Sequence, residues 1–295
     1  MFSFRKILNK RETGAGMTVG VEWSTNLRNR LVVGFTGGLF LLIVAYLGGW
    51  FFFGFILALT MVALYELQSM GAKAGVSRFN PLLYLFGIII LFDFYIYSAA
   101  HLYIIIIFFV TSEIILSFIL NKENQLIECA YTIFTSFYAV LFTGSLVLIR
   151  EAGRNGQYTI GYKVIWSIFF GIWFLDTTAY FVGKSIGRQK LCPQISPNKT
   201  IEGSIGGFIA AIAALIIGKY AFFKELSIIH SVNIGIILGV MGQIGDVAES
   251  FIKRKAGVKD SSAILPGHGG ILDRFDSLIF ASPFVYLYLT YIVRL

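Results

Sequence analysis

Long uninterrupted apolar runs are the feature that most restricts the fold of this chain. Runs such as "IIIIFFV" recur along its 295 residues, of which 57% are hydrophobic and only 14% charged. Because about 20 apolar residues in a helix cross a bilayer, and because a lipid-exposed backbone must satisfy its own hydrogen bonds, these runs predict transmembrane helices. The runs do not alternate between apolar and polar residues, which argues against a β-barrel. We therefore expect an all-α polytopic integral membrane protein.

The apolar runs fit about nine transmembrane helices in one membrane domain. The charged, glycine-broken start of the chain lacks the apolar core of a signal peptide. We divide the sequence into a basic N-terminal extension, 1–26, a first group of transmembrane helices, 27–150, and a C-terminal transmembrane region with the polar segments, 151–295. The predicted spans are 31–49, 51–70, 82–99, 102–120, 128–149, 163–184, 204–222, 229–250 and 273–293.

The basic residues predict how these helices are oriented. With nine spans, eighteen of the 24 Lys and Arg residues fall on the side of the N-terminus. Positive charge marks the cytoplasmic side, so we expect a cytoplasmic N-terminus, an external C-terminus and, for a bacterial protein, insertion in the cytoplasmic membrane. The net charge of +8 then indicates contact with anionic membrane lipid or substrate and no nucleic acid. Cys129 and Cys192 fit no metal spacing and are interpreted as structural.

The first polar segment is "DTTAYFVGKSIGR", at the end of the sixth predicted span. Asp176, Tyr180 and Lys184 follow one another at intervals of four, which places them on one helix face. A carboxylate inside a span usually faces a water-filled cavity or a partner. The segment therefore predicts either a polar cavity or a structural ion pair within the bundle.

The second polar segment is "SPNKTIEGSIGG", in the loop before the seventh predicted span. Ser196, Lys199 and Thr200 can bind phosphate oxygens near a helix start, where free N–H groups favour anions. Gly203 and Gly207 form a GxxxG pattern, for which helix packing is the favoured explanation.

Two further segments place carboxylates at helix ends. Asp246, Glu249 and Lys253 form one polar stripe at the end of the eighth predicted span, and Asp273 and Asp276 lie one turn apart where the ninth begins. Asp273 could be only a helix cap, and the row of lysines after the eighth span only a positive-inside anchor. The loops 185–203 and 251–272 open on the same face, however, so we expect one active site at the cytoplasmic face.

Carboxylates set among Lys and Arg suit a divalent cation that bridges phosphate oxygens. Mg²⁺ takes one or two carboxylates together with substrate phosphates and water. No zinc spacing occurs. His268 stands between glycines. Its side chain could make a hydrogen bond that orders the loop, or it could act as a general acid or base.

The stretch "SFIKRKAGVKDSSAILPGHGGILDRFD", Ser250 to Asp276, resembles the signature of the phosphatidate cytidylyltransferase (CDP-diacylglycerol synthase) family. The match runs through the whole stretch, and "DTTAYFVGKSIGR" and "SPNKTIEG" are also similar to segments of that family. The resemblance implies nucleotidyl transfer from CTP to phosphatidate, which gives CDP-diacylglycerol and pyrophosphate for phospholipid biosynthesis. It also implies a homodimer.

The resemblance further implies roles for individual residues. Asp246 and Asp273 would hold Mg²⁺, with a second cation left open. Catalysis would depend on Asp246, Asp273, Lys253 and Arg274. Substrate would be bound by Ser196, Lys199, Thr200, Glu202, Arg254, Lys259, His268, Asp176 and Tyr180. Asp260, Asp276 and Glu249 would orient these groups from behind.

Three other classes of protein compete with this interpretation. Lipid kinases that use CTP would transfer its γ-phosphate, but they are not expected to carry the full 250–276 signature. The CDP-alcohol phosphotransferases need an Asp-Gly-x-x-Ala-Arg opening that this sequence lacks. An ion transporter would place its charges near the midplane of the membrane, whereas these charges collect at one face.

Overall fold

Helices make up most of the part of the chain that the structure describes. This computed structural model describes residues 34, 36–76, 79–120, 125–152, 158–264 and 269–294. The chain divides into two compact units after Ile43, and all the contacts given below lie within the second unit. The predicted extension 1–26 and His268 lie outside the described residues.

Nine helices occur within these described ranges, close to the predicted spans. Each predicted span has a counterpart whose ends differ by a few residues. The helices are α1 (Thr36–Leu47), α2 (Gly49–Lys73), α3 (Pro81–Tyr97), α4 (Leu102–Leu120), α5 (Gln125–Glu151), α6 (Tyr158–Ile186), α7 (Ile201–Ala221), α8 (Ile228–Lys255) and α9 (Leu272–Val293).

Seven of these helices are long and apolar enough to cross a bilayer. They are α2 and α4 to α9, whereas α1 and α3 are apolar but shorter. The expected helical, polytopic membrane protein is therefore confirmed at this level.

Two tight turns replace loops in the N-terminal half. Gly48 has a φ of 61°, so it ends α1 and lets α2 begin at the next residue. Between α3 and α4, Ser98 and Ala99 have φ values of 50° and 69°. Asp93 stabilises this second turn by accepting hydrogen bonds from the backbone N–H of His101 at 3.3 Å. The short gap between the predicted spans 82–99 and 102–120 is therefore a tight turn.

Helix α5 lies at the centre of the described helices. Of its most apolar stretch 72% is buried, against 11% for α4. Hydroxyl groups link α5 to its neighbours: Thr143 lies 2.6 Å from Thr60 on α2, and Ser145 donates to Ser282 on α9 at 2.8 Å. Such hydrogen bonds help to hold helices together in a bilayer, where the hydrophobic effect does not favour contact between helices over contact with lipid.

A small β-hairpin precedes α7, where the sequence had predicted only a polar loop. Strands β1 (Lys190–Cys192) and β2 (Ser196–Thr200) pair antiparallel, with Lys190 opposite Thr200 and Cys192 opposite Ser196. Strands this short carry too few residues for an alternating pattern, so no strand could be predicted here. The hairpin leads directly into α7 and fixes the direction from which the chain enters it.

Candidate functional site

Close packing of α6 against α7 positions the first part of the site. A Cβ atom on Gly203 would lie 2.6 Å from the carbonyl oxygen of Ala179, and one on Gly207 would lie 2.8 Å from that of Leu175. Only glycine lets the two backbones approach so closely. The expectation that this GxxxG pattern serves helix packing is confirmed.

The junction between the hairpin and α7 uses two of the predicted substrate-binding residues. The Thr200 hydroxyl accepts a hydrogen bond from the Gly203 N–H at 3.1 Å, which caps the first turn of α7. The Glu202 carboxylate accepts from the Gln189 N–H at 3.2 Å. Both contacts hold the loop against the helix, so both side chains have a structural role whatever they bind.

A cavity of about 510 Å³ opens where α6 ends and α7 begins. The hairpin and the second half of α8 complete its walls. Asp176, Tyr180 and Lys184 all line it, as their spacing on one face of α6 predicted. Their roles toward a substrate stay predictions. The other charged groups of its lining are Lys190, Lys199 and Asp246.

An ion pair crosses this cavity from the hairpin to α8. The Lys199 ammonium lies 2.5 Å from the Asp246 carboxylate, and the two side chains are 25% and 34% exposed. Asp276 on α9 and Asp176 on α6 lie near enough to interact electrostatically with this pair. Carboxylates from three helices thus lie within electrostatic range of one lysine, and the cavity carries both signs of charge.

Lys253 organises a second charged cluster where α8 meets α9. Its ammonium lies 2.6 Å from Glu249 and donates to Asp273 at 2.5 Å. The Glu249 side chain is fully buried. Asp273 also accepts hydrogen bonds from the Ser261 N–H at 3.0 Å and the Gly270 N–H at 2.8 Å. The predicted stripe on α8 and the predicted carboxylate of α9 are therefore in direct contact.

Glu66 on α2 joins this second cluster, and the sequence interpretation missed it. Its carboxylate is fully buried and accepts from the Ser261 and Ser262 hydroxyls at 2.9 and 2.5 Å. It also accepts from the backbone N–H groups of Ile271 and Leu272 at 2.9 and 2.7 Å. The signal was available, because Glu66 is a carboxylate inside a predicted span, which is the observation that singled out Asp176.

Gln243 is a second residue that the sequence interpretation missed. It follows the π-helical turn Leu238–Gly242 of α8 and lines the cavity. Its side-chain amide donates to the Gly239 carbonyl at 2.7 Å and to the Ser204 carbonyl at 3.0 Å. It thereby satisfies a carbonyl in the irregular turn and ties α8 to α7 beside the cavity.

The remaining predicted residues lie around the two clusters. Arg254 donates to the Ile195 and Val258 carbonyls at 3.2 and 3.1 Å, which links the end of α8 to the hairpin. Ser196 begins β2. The side chains of Lys259, Asp260 and Arg274 are exposed. No contact of His268 can be described, since it lies outside the described residues.

Carboxylate oxygens are ligands of the kind that Mg²⁺ binds, but both predicted ligands already have partners in this structure. One oxygen of Asp246 contacts the Lys199 ammonium. One oxygen of Asp273 contacts Lys253, and the other accepts hydrogen bonds from the Ser261 and Gly270 N–H groups, so a cation at Asp273 would take the place of one of these partners. Among the described residues, no three His, Cys, Asp or Glu side chains form a metal-binding group. A cation here would need phosphate and water oxygens, which is the way Mg²⁺ binds beside nucleotides.

Fold and site together define a polytopic helical membrane protein with a charged cavity at its helix ends. A model of the cytidylyltransferase family matches residues 28–292, and the chain belongs to that family. The resemblance seen in the 250–276 signature is thereby confirmed.

Curated relatives agree with this assignment. A phosphatidate cytidylyltransferase of Bacillus subtilis (strain 168) is 34% identical over 272 residues, which cover 90% of this chain and 98% of the relative. One of Staphylococcus haemolyticus (strain JCSC1435) is 41% identical over 175 residues, which cover 58% of this chain and 66% of the relative. A Staphylococcus epidermidis relative of the same name is 46% identical over 123 residues, which cover 42% and 47%.

Proposed function

We propose that this protein is a phosphatidate cytidylyltransferase, which converts CTP and phosphatidate into CDP-diacylglycerol and pyrophosphate. The observation that carries the proposal is the cavity at the ends of the membrane helices, where Lys184, Lys190 and Lys199 stand beside Asp176 and Asp246. Such a site suits a nucleotide from water and a lipid phosphate from the membrane surface. The Bacillus subtilis relative, aligned over 90% of the chain, bears the name of this activity.

The chemistry needs positioning and charge neutralisation more than a protein nucleophile. An oxygen of the phosphatidate phosphate attacks the α-phosphorus of CTP, and the bond from that phosphorus to the bridging oxygen of the β-phosphate breaks. Pyrophosphate leaves with the bonding electron pair. Because the phosphate monoester is already an anion at neutral pH, no side chain has to remove a proton from it.

The chain's own charges would then serve the phosphates. Lys199 on the hairpin and Lys253 on α8 are held by carboxylates, which fixes the positions of their ammonium groups. Cationic groups fixed in place stabilise the charge that spreads during phosphoryl transfer. Mg²⁺, held by Asp246 and Asp273, would neutralise phosphate charge when bound. Arg274, Arg254 and Lys259 would hold phosphates from the rim.

We also propose the arrangement in the membrane. All nine helices would cross the bilayer, with the N-terminus and the site on the cytoplasmic side of the bacterial cytoplasmic membrane. The hairpin side carries Lys184, Arg188, Lys190 and Lys199, which supports this orientation. The homodimer rests on the family resemblance. Chemical cross-linking in native membranes would test it, and an exclusively monomeric product would argue against it.

The activity is tested with purified protein, phosphatidate, Mg²⁺ and CTP labelled on either the α- or the γ-phosphate. We expect the α-label in lipid and the γ-label in pyrophosphate. Label from the γ-phosphate in lipid would identify a kinase instead. No turnover by folded protein, together with ion flux in liposomes, would favour a transporter.

The carboxylate assignment is tested by Asp273→Asn. Loss of the ion pair with Lys253 and of the oxygen proposed to bind Mg²⁺ should abolish most pyrophosphate release. Asp93→Asn is the matched control, because Asp93 is also a buried carboxylate that accepts a backbone N–H, that of His101, but it stabilises the turn between α3 and α4. If activity survived in Asp273→Asn, the proposed reaction would stand, but Asp273 would not be a ligand of the cation.

A further inference from the structure

We infer that Glu66 is a positioning residue, which from α2 fixes the loop and the helix end that carry Asp273. Four hydrogen bonds reach its buried carboxylate, two from serine hydroxyls and two from backbone N–H groups at the start of α9. The four donors come from residues 261, 262, 271 and 272, so one side chain holds both ends of this segment. The expected effect of Glu66 on turnover rests on the proposed function, whereas its role in holding this segment does not.

The donor set requires a carboxylate at this position. An ionised Glu accepts hydrogen bonds through both oxygens and donates none, and all four of its partners can donate. The N–H groups of Ile271 and Leu272 lie at the start of α9, where backbone donors have no acceptor within the helix and negative charge is favoured. Glu66 therefore acts as a cap for α9, supplied by a helix about two hundred residues earlier in the chain.

Ser261 connects Glu66 to the predicted catalytic carboxylate. Its hydroxyl lies 2.9 Å from a Glu66 oxygen and 3.0 Å from Asp273 Oδ2. Its backbone N–H donates to the same Asp273 oxygen at 3.0 Å. A shift of Ser261 would therefore move the partner that orients Asp273, although Glu66 itself does not contact Asp273.

The close approach of Gly270 shows how tightly this arrangement is packed. A Cβ atom on Gly270 would lie 1.8 Å from the Ser261 hydroxyl oxygen and 2.5 Å from Glu66 Oε1. Any side chain at this position would separate the loop from Glu66. The Gly270 N–H meanwhile donates to Asp273 at 2.8 Å, so the glycine serves the carboxylates of both helices.

The first test replaces Glu66 by Gln. The new amide would point its NH₂ group at donors and would lose acceptor capacity, so the loop should loosen around Asp273. Because small misplacements of reacting groups are costly, we expect kcat to fall about tenfold to a hundredfold with KM for CTP within about twofold. Glu66→Asp keeps the carboxylate and should retain more of kcat than Glu66→Gln.

Glu113→Gln is the matched control. Glu113 is also a buried glutamate inside a span, and its carboxylate accepts from the Asn80 side chain at 2.9 Å, outside the segment that carries Asp273. We expect its kcat to stay within about twofold of wild type. An equal fall in kcat in both variants, or an unchanged kcat in folded Glu66→Gln, would overturn the inference.

A second variant tests the route through Ser261 and does not depend on the folding of Glu66→Gln. Ser261→Ala removes the shared hydroxyl but keeps the backbone N–H, so it should also lower kcat without raising KM. Combined with Glu66→Gln, it should cost less than the product of the two single effects, since both act on one link. If kcat of the double variant fell by the full product of the two single effects, or if Ser261→Ala kept the wild-type kcat, Ser261 would not be the link between Glu66 and Asp273.

Amide hydrogen exchange separates the failure of this inference from the failure of the proposed function. In Glu66→Gln, or in Ser261→Ala if the former does not fold, exchange at Ile271 and Leu272 should accelerate, while Glu113→Gln should leave it unchanged. This readout needs no turnover. If the wild type made no CDP-lipid, faster exchange in the variant would still support the positioning role of Glu66, and unchanged exchange would refute it.

Discussion

At the residue scale, Lys253 is the group on which the charge balance of the second cluster depends. Its ammonium is shared by Glu249, which is fully buried, and Asp273, whose side chain is 9% exposed. Removing one partner from a buried ion pair leaves uncompensated charge and costs about 3–5 kcal/mol. We therefore expect Lys253→Met to lower the thermal unfolding temperature in detergent and to abolish pyrophosphate release. Adding Glu249→Gln should recover part of the stability but none of the activity.

Lys163→Met provides the exposed counterpart of that experiment. Lys163 donates to Glu225 at 2.6 Å, but the Glu225 side chain is 55% exposed. This hydrogen bond lowers the pKa of Glu225, so its contribution to stability is present at neutral pH and is lost as the pH falls through that lowered pKa. Because the pair is solvated, the contribution should stay below about 1 kcal/mol. A loss as large as that of Lys253→Met would contradict the role given to burial.

At the element scale, the contact between α6 and α7 sets the shape of the cavity. Gly203→Ala would bring a Cβ atom to 2.6 Å from the Ala179 carbonyl oxygen, so the helices must move apart. We expect a destabilisation of about 1–3 kcal/mol, as for other overpacked sites, and a severalfold rise in KM for CTP because Lys199 moves with the start of α7. Thermal unfolding and initial-rate kinetics measure the two effects.

Gly54→Ala is the control for that substitution. Gly54 lies within α2, and a Cβ atom there would meet no atom within 4 Å. The added methyl group should stabilise the helix by about 0.5–1 kcal/mol or leave it unchanged. If Gly203→Ala behaved in the same way, the close packing of α6 and α7 would not determine the cavity.

The helices were predictable from the sequence, whereas part of the site was not. Apolar length predicted nine helices to within a few residues of those described, and seven of them are long and apolar enough to cross a bilayer. Spacing along α6 placed Asp176, Tyr180 and Lys184 on one cavity wall. The link from Glu66 to Ser261 could not be read from spacing, since it depends on tertiary contacts across about two hundred residues. The β-hairpin was not predicted, because its strands are too short to show an alternating pattern in the sequence.

At the scale of the whole molecule, the N-terminal half takes part in the site. The resemblance assigned every site residue to the C-terminal region and none to the first group of helices. Glu66 on α2 and the hydroxyl bonds of α5 to α2 and α9 show a closer connection. A C-terminal region expressed alone would lack the acceptor for the start of α9. Contacts of the candidate site therefore cross the predicted boundary at residue 150.

The orientation of the molecule is tested by cysteine accessibility. In a chain with Cys129 and Cys192 replaced by Ser, single cysteines are placed at Gln194, in the hairpin turn, and at Lys224, in the connection after α7. Both positions are exposed, and the 21-residue helix α7 separates them, which is long enough to put them on opposite sides of a bilayer. We expect a membrane-impermeant maleimide to label Lys224→Cys in intact cells and Gln194→Cys only after permeabilisation. The opposite pattern would place the cavity outside, where no CTP is available, and labelling of both in intact cells would show that α7 does not cross the membrane.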